Sequence, residues 1–212
     1  MPGRRGKIAP GIPTAKPRFP MTLTSAAVTA HLSALLGADA VIGVAEQMGN
    51  YLKEPRKRFH TGAAAVALPA SVEQVQAIVR WANEHKIALV PSGGRTGLSA
   101  AAVAMNGEVV VSFDYMNQIL ELNVTDRTVR CQPGVVTKQL QNFAEENGLY
   151  YPVDFASSGS SQIGGNIGTN AGGIKVIRYG MTRNWVSGLK VVTGKGDILE
   201  LNKDLIKNAT GY

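Results

Sequence analysis

The chain has 212 residues, 44% apolar and 17% charged, which fits one large domain or two small ones and has too apolar a composition for disorder. Its formal charge of +7 points first to nucleic acid or an anionic surface, yet residues 1–20 hold Arg4, Arg5, Lys7, Lys16 and Arg18 and no acid, leaving 17 bases against 15 acids elsewhere. Nucleic acid is therefore not expected as a partner, the single Cys131 excludes a disulfide framework, and no run approaches the ~18 apolar residues of a membrane span.

Residues 1–20 read as a disordered basic tail, rich in Pro and Gly and without an apolar period. They lack the apolar region of a signal peptide, so a soluble, cytoplasmic protein is expected, with attachment at the inner-membrane surface left open. Met21 is a candidate alternative start. From there the stretch TLTSAAVTAHLSALLG predicts a helix, with Ser25 as N-cap and Gly37 at its C-terminal end. A basic, Pro-containing connector covers 50–62. Ala64–Leu68 reads as a strand closed by Pro69, and Ser71 to Gln74 form a capping box. Val72, Val75, Val79 and Ala82 then follow at helical spacing to about His85. Ile87–Val90 and Glu108–Phe113 read as buried strands either side of a glycine loop.

Beyond that point the pattern changes. Gln118–Val124 and Thr128–Gln132 alternate about Thr125-Asp-Arg127, a hairpin signal. Thr137–Asn147 predicts an amphipathic helix ending at Gly148. Leu149–Tyr179 shows no period and reads as a Gly/Ser/Asn-rich stretch without regular structure. A second hairpin joins Leu189–Val192 to Ile198–Leu201. The expectation is an α+β fold of two packed subdomains, 63–117 and 118–212, preceded by the tail and by a helix and connector over 21–62. The glycine segments fall at the junction of the two subdomains.

The first glycine segment runs Pro91-Ser-Gly-Gly-Arg-Thr-Gly-Leu98 directly after a strand. Consecutive glycines let backbone N–H groups converge on an anion. A Walker loop is excluded, because neither Gly6-Lys7 nor Gly194-Lys195 is followed by Ser or Thr. A Rossmann loop, with Asp114 as its ribose-binding acid, is closer, but Leu98–Met105 is too short for its crossover helix. A plain tight turn is the remaining alternative. The second segment, Ser157–Gly173, holds six of the 24 glycines. Such a backbone can lie flush against a flat ligand. Ile163, Ile167 and Ile174, read as buried anchors, argue against a flexible linker.

Taken with Arg178-Tyr179-Gly180, the two segments closely resemble the FAD-binding domain of the PCMH-type (vanillyl-alcohol oxidase) superfamily, nearest to its bacterial D-2-hydroxyacid dehydrogenases. Ala67-Leu-Pro-Ala-Ser71, Gln132-Pro-Gly-Val135 and Lys207–Tyr212 add to the likeness. The resemblance implies that Pro91, Ser92, Gly93, Gly94, Arg95, Thr96, Gly97 and Leu98 wrap the FAD pyrophosphate. It implies that Gly159, Ser160, Gly164, Gly165, Asn166, Thr169, Asn170, Gly172 and Gly173 run along the flavin and ribityl part. Pro133, Gly134, Pro152 and Asp154 would line the same groove, and Val192 would approach the adenine. Some members bond a His or Cys covalently to the flavin. That position falls near Arg95 here and the second segment has neither residue, so non-covalent FAD is implied.

The implied reaction is oxidation of a D-2-hydroxyacid (D-lactate, glycolate or D-2-hydroxyglutarate) to the 2-oxoacid, with a separate electron acceptor and a homodimer or partner subunit left open. A sugar or alcohol oxidase of the same superfamily, or a non-catalytic nucleotide-binding module, are the alternatives. The family pattern continues into a substrate domain after the motif that ends at Tyr212, so a truncated chain is expected and no catalytic residue is assigned. His31, His60 and His85 show no metal spacing. Cys131 reads as a small buried apolar residue, and Arg178 and Arg183 either attract an acidic substrate or face solvent.

Overall fold

A computed structural model describes residues 23–202; the basic tail and the Lys207–Tyr212 motif lie outside them. Helix α1 spans Ser25–Leu36. Its N-cap is Thr24 rather than Ser25: Thr24 keeps an extended backbone and its hydroxyl accepts from the Ala27 amide at 3.3 Å. Gly37, at φ +93°, ends the helix as the sequence predicts. Strands β1 (Val41–Ile42) and β2 (Ala63–Ala67) are followed by α2 (Val72–His85), β3 (Leu89–Ser92) and β4 (Glu108–Ser112). Ser71 caps α2 by accepting from Gln74 N, while the Gln74 side chain accepts from Ala70 N, one residue before the usual capping-box partner.

These strands form one sheet in the order β1-β2-β4-β3. β4 lies between β2 and β3 and runs parallel to both. The near-continuous apolar runs in β2 and β4 suit a sheet covered on both faces. One face of Ala65, Ala67, Val109 and Val111 packs on Val28 and Leu32 of α1 and on Ile78 and Trp81 of α2. The other, carrying Val66 and Val110, is covered by Met48 and Ala104. Burying each such valine fully stabilises by about 1.5–3 kcal/mol. Residues 93–107 join β3 to parallel β4 without any helix, which rules out the Rossmann alternative.

The second half contains β5 (Ile119–Asn123) and β6 (Thr128–Cys131), an antiparallel hairpin, then α3 (Thr137–Glu146). Strands β7 (Gly188–Val192) and β8 (Ile198–Asn202) make the second hairpin. Its turn docks on α2, where Gln76 Nε2 donates to Gly196 O at 2.6 Å and Asn83 Nδ2 to Gly194 O at 2.7 Å.

The stretch 149–179 is not without regular structure. It carries α4 (Ile163–Thr169) and the short α5 (Val176–Tyr179). Helix α4 contains Gly164, Gly165 and Gly168, each disfavoured in a helix by about 1 kcal/mol. Tertiary bonds override that preference: Ile163 N donates to Val135 O at 2.9 Å and Gly164 N to Pro133 O at 2.8 Å.

Candidate cofactor site

Pro91 and Ser92 belong to β3, paired with Val111 and Ser112 of β4, so the glycine turn begins only at Gly93. Gly93 and Gly94 lie against the second segment. A Cβ on Gly94 would overlap the Ser160 carbonyl and come within 2.8 Å of Ser161 Cα; one on Gly93 would stand 3.4 Å from Gln162 Oε1. Gly94 is therefore required by close packing of two backbones, as well as by any anion. Arg95 sits at φ +58°. Thr96 is half-buried, while Gly97 and Leu98 are exposed, with Leu98 O accepting from Arg58 Nη2 at 2.9 Å. That bond ties the basic connector to the loop. The connector is itself wound around Glu54, whose buried carboxylate accepts from the amides of Arg56 and Arg58. Burial opposes its charge, but those amides outweigh burial and hold its pKa below the usual carboxylate range.

The second segment splits into residues that serve the fold and residues left open. Asn166 is buried and donates to Thr137 Oγ1 at 2.7 Å, so its side chain anchors α4 to the start of α3 instead of facing outward. Thr137 also lies 2.8 Å from Ser161 Oγ. Gly134 is buried, and a Cβ there would overlap Phe113 O. Gly164 packs on Pro133 and Gly173 on the Asp154 carbonyl, while Pro152 is buried. Asp154 itself pairs with Lys175 at 3.2 Å. Asn170 ends α4 in the left-handed region, its Oδ1 accepting from Arg183 N. Gly159, Ser160, Gly165 and Thr169 are exposed and Gly172 half-buried. No atom lies within 4 Å of a Cβ placed on Gly159 or Gly165. Ile163 is buried and Ile167 half-buried, but Ile174 is 81% exposed and is not the buried anchor its pattern suggested. Val192 belongs to the hairpin docked on α2.

A polar cluster joins the two segments. Asp114 Oδ2 pairs with Arg95 Nη2 at 3.3 Å, and Asp114 Oδ1 accepts from Gln162 Nε2 at 2.7 Å. The Arg95 guanidinium stands 5.0 Å over the Tyr51 ring. Burial, and after it the Asp114 carboxylate, raises the Tyr51 phenol above its ordinary pKa. Asp114 thus bonds to the protein itself and does not act as a Rossmann ribose acid. Among the described residues two buried side-chain atoms have no hydrogen-bond partner, Ser92 Oγ at the end of β3 and Gln162 Oε1, and the second lies where the segments meet. Sequence reasoning missed Gln162, and no sequence signal marked it, because its orientation is set by Asp114 far back in the chain. Exposed backbone at Gly97, Gly159 and Gly165 beside an unpartnered acceptor at Gln162 fits a ligand carrying both phosphates and hydrogen-bond donors.

Among the described residues no three or more of His, Cys, Asp or Glu gather to hold a metal, and no helix is long and apolar enough to cross a membrane. His31 and His85 instead flank Trp81, whose Nε1 donates to His31 Nδ1 at 3.1 Å.

Residues 63–202 match the family described as "FAD binding domain". The chain belongs to that family. FAD is accordingly its cofactor. The chain is similar to the D-2-hydroxyglutarate dehydrogenase of Stutzerimonas stutzeri (strain A1501), 72% identical over 190 residues, covering 90% of this chain and 41% of the relative. It is 36% identical to glycolate oxidase subunit GlcD of Bacillus subtilis (strain 168) over 162 residues, 76% of this chain and 34% of that one. The chain thus spans less than half the length of these relatives. Among solved structures, p-cresol methylhydroxylase with substrate bound aligns at TM-score 0.71 and 28% identity, over 82% of this chain and 35% of that one. Alkyldihydroxyacetonephosphate synthase aligns at TM-score 0.72 and 21% identity, over 85% of this chain and 38% of that one, a likeness of fold. The PCMH-type resemblance and the α+β fold expected from the sequence both hold.

Proposed function

We propose that this chain holds the FAD of a flavin-dependent dehydrogenase that oxidises a D-2-hydroxyacid to the 2-oxoacid, with D-2-hydroxyglutarate the leading substrate. The observation that carries the reading is the seating of Gly93 and Gly94 on Ser160–Gln162, which brings the two glycine segments together at one place. The 72% identity to a D-2-hydroxyglutarate dehydrogenase supports the choice of substrate.

In this reading the N–H groups of residues 93–98 hold the pyrophosphate, and buried Ser92 ends the strand from which that turn springs. Exposed Gly159, Ser160, Gly165 and Thr169 give the backbone along which the flavin end lies. Gly94, Gly134, Gly164, Asn166 and Gly173 act one step back, by letting or making the segments pack. Arg95 replaces a covalent attachment point, so the cofactor is held non-covalently. When bound, FAD supplies the acceptor for the hydride on the substrate's α-carbon, while the protein supplies binding, orientation and electrostatics. Arg178, exposed with its guanidinium 5.2 Å over the Tyr179 ring, is free to attract an anionic substrate or to face solvent. The electron acceptor, a homodimer or partner subunit, and a cytoplasmic location complete the proposal.

Purified chain incubated with FAD is expected to keep the visible absorption of oxidised flavin through gel filtration; complete loss of flavin would remove the reading. Activity is tested on the whole protein with a dye as electron acceptor. Faster turnover of D-2-hydroxyglutarate than of D-lactate or glycolate is expected. Turnover of sugars or simple alcohols alone would move the protein to the other branch of the superfamily.

A further inference from the structure

Gln162 is 6% exposed, and its amide has one fixed orientation. The partner of Nε2 is a carboxylate oxygen, Asp114 Oδ1 at 2.7 Å, which accepts and cannot donate while ionised. Asp114 is in turn held by Arg95 at 3.3 Å. The nitrogen of Gln162 must therefore face Asp114, and Oε1 must face the other way. There it has no partner among the described residues, and it stands 3.4 Å from a Cβ placed on Gly93, where the two glycine segments meet. A buried acceptor left without a donor costs about 1–3 kcal/mol. Such an atom calls for an explanation, and a bound ligand is one that supplies the missing donor.

The chemistry of the missing partner follows from the atom. A carbonyl oxygen repels a phosphate, so Oε1 does not address the pyrophosphate itself. It requires an O–H or N–H, which FAD carries on its ribityl chain, its ribose, its adenine and its flavin ring. We infer that Gln162 is a cofactor-binding residue that accepts a hydrogen bond from a hydroxyl or N–H of FAD, and that Asp114 is the positioning residue that fixes its amide for that role. The inference rests on the FAD reading above and adds to it a discriminating polar contact in a site otherwise built from backbone. It also gives Asp114 a function: one carboxylate orients Arg95 on the first segment and Gln162 on the second.

The test uses the full chain, FAD titration followed by quenching of flavin fluorescence, and the thermal midpoint of the FAD-free protein. Gln162→Leu removes the acceptor and is expected to weaken FAD about five- to tenfold, the value of one hydrogen bond. The FAD-free midpoint should change little, because loss of the bond to Asp114 is offset by removal of an unsatisfied buried oxygen, two terms of similar size. In an Asp114→Ala background the amide is no longer oriented, so adding Gln162→Leu should cost less than about twofold more. Unchanged FAD affinity in Gln162→Leu would overturn the inference, as would fully additive losses, or a loss matched by a fall in the FAD-free midpoint. If the unsubstituted chain binds no FAD at all, the FAD reading itself fails and takes this inference with it.

Discussion

Gly94 and Ser160 touch backbone to backbone: a methyl group on the first would overlap the carbonyl oxygen of the second. The loop proposed to hold the pyrophosphate is thereby seated on the segment expected to carry the flavin. Gly94→Ala should force the two apart, at about 2 kcal/mol, which lowers the FAD-free thermal midpoint by roughly 4–8 °C. Gly165→Ala is the counterpart. No atom beyond its own helix stands near a Cβ there, so the FAD-free midpoint should hold or rise by up to about 4 °C as the helix loses a glycine while FAD binding weakens. Calorimetry of both variants with and without FAD separates the two effects; equal midpoints for the two FAD-free variants would refute the packing role of Gly94.

Arg95 is shared between Asp114 at 3.3 Å and the face of Tyr51 at 5.0 Å. Its planar fork suits both partners, and a lysine ammonium reproduces neither well. Arg95→Lys keeps the charge yet should weaken FAD by about tenfold, roughly the 1.4 kcal/mol of a partly buried charged contact. Titration at two salt concentrations checks this, since a purely long-range charge effect would leave Arg95→Lys like the unsubstituted chain.

Burial pushes the Cys131 thiol up to about 11 and the Tyr151 phenol up to about 12. Cys131 is the sole thiol in the chain, so its alkylation can be read without ambiguity. Near pH 8 the folded protein should react with iodoacetamide roughly a hundredfold more slowly than the unfolded chain, in proportion to its thiolate fraction. Both groups hold their protons more tightly when folded. Their contribution to stability is complete below the unfolded values, 9.0 for the thiol and 10.0 for the phenol, and is lost as pH rises towards 11 and 12. Cys131→Ala should flatten the lower part of that alkaline loss, which denaturant titration across the range measures.

Trp81 donates to His31 Nδ1 while its indole fills the core between α1 and α2. Trp81→Phe should cost about 1–3 kcal/mol, one hydrogen bond plus a modest cavity. FAD affinity should be unchanged when measured well below the midpoint. A large loss of affinity would show that this cluster, on the helical side of the sheet, reaches the cofactor site.

Elements set by a strong period were legible in the sequence. The apolar runs of β2 and β4, the spacing of α2 and both hairpin turns all fall within a residue or two of where the pattern puts them. The glycine loop and the glycine segment were legible as a pair, and they do meet. The sequence did not reveal α4, because its glycines oppose helix and only the carbonyls of Val135 and Pro133 hold its first turn. It also hid which residues of the segment are structural. Asn166 and Gly134 look like groove residues beside their neighbours, yet Thr137 and Phe113 O, distant in the chain, take them into the packing. Gln162 escaped notice for the same reason, since its meaning comes from Asp114. Ile174 failed as an anchor because it lies in the irregular link between α4 and α5, where no period marks a buried face.

Strand β3 lies at the edge of the sheet, and the loop after it gains its second wall only from residues far along the chain. Until Ser160–Gln162 is seated, that loop has only one wall, and closing the contact across so long a stretch of chain carries an entropy cost that grows with its length. Once captured, the flavin stabilises only the closed form, by mass action. The supply of flavin in the cell would therefore govern the lifetime of the assembled protein as well as its readiness to react.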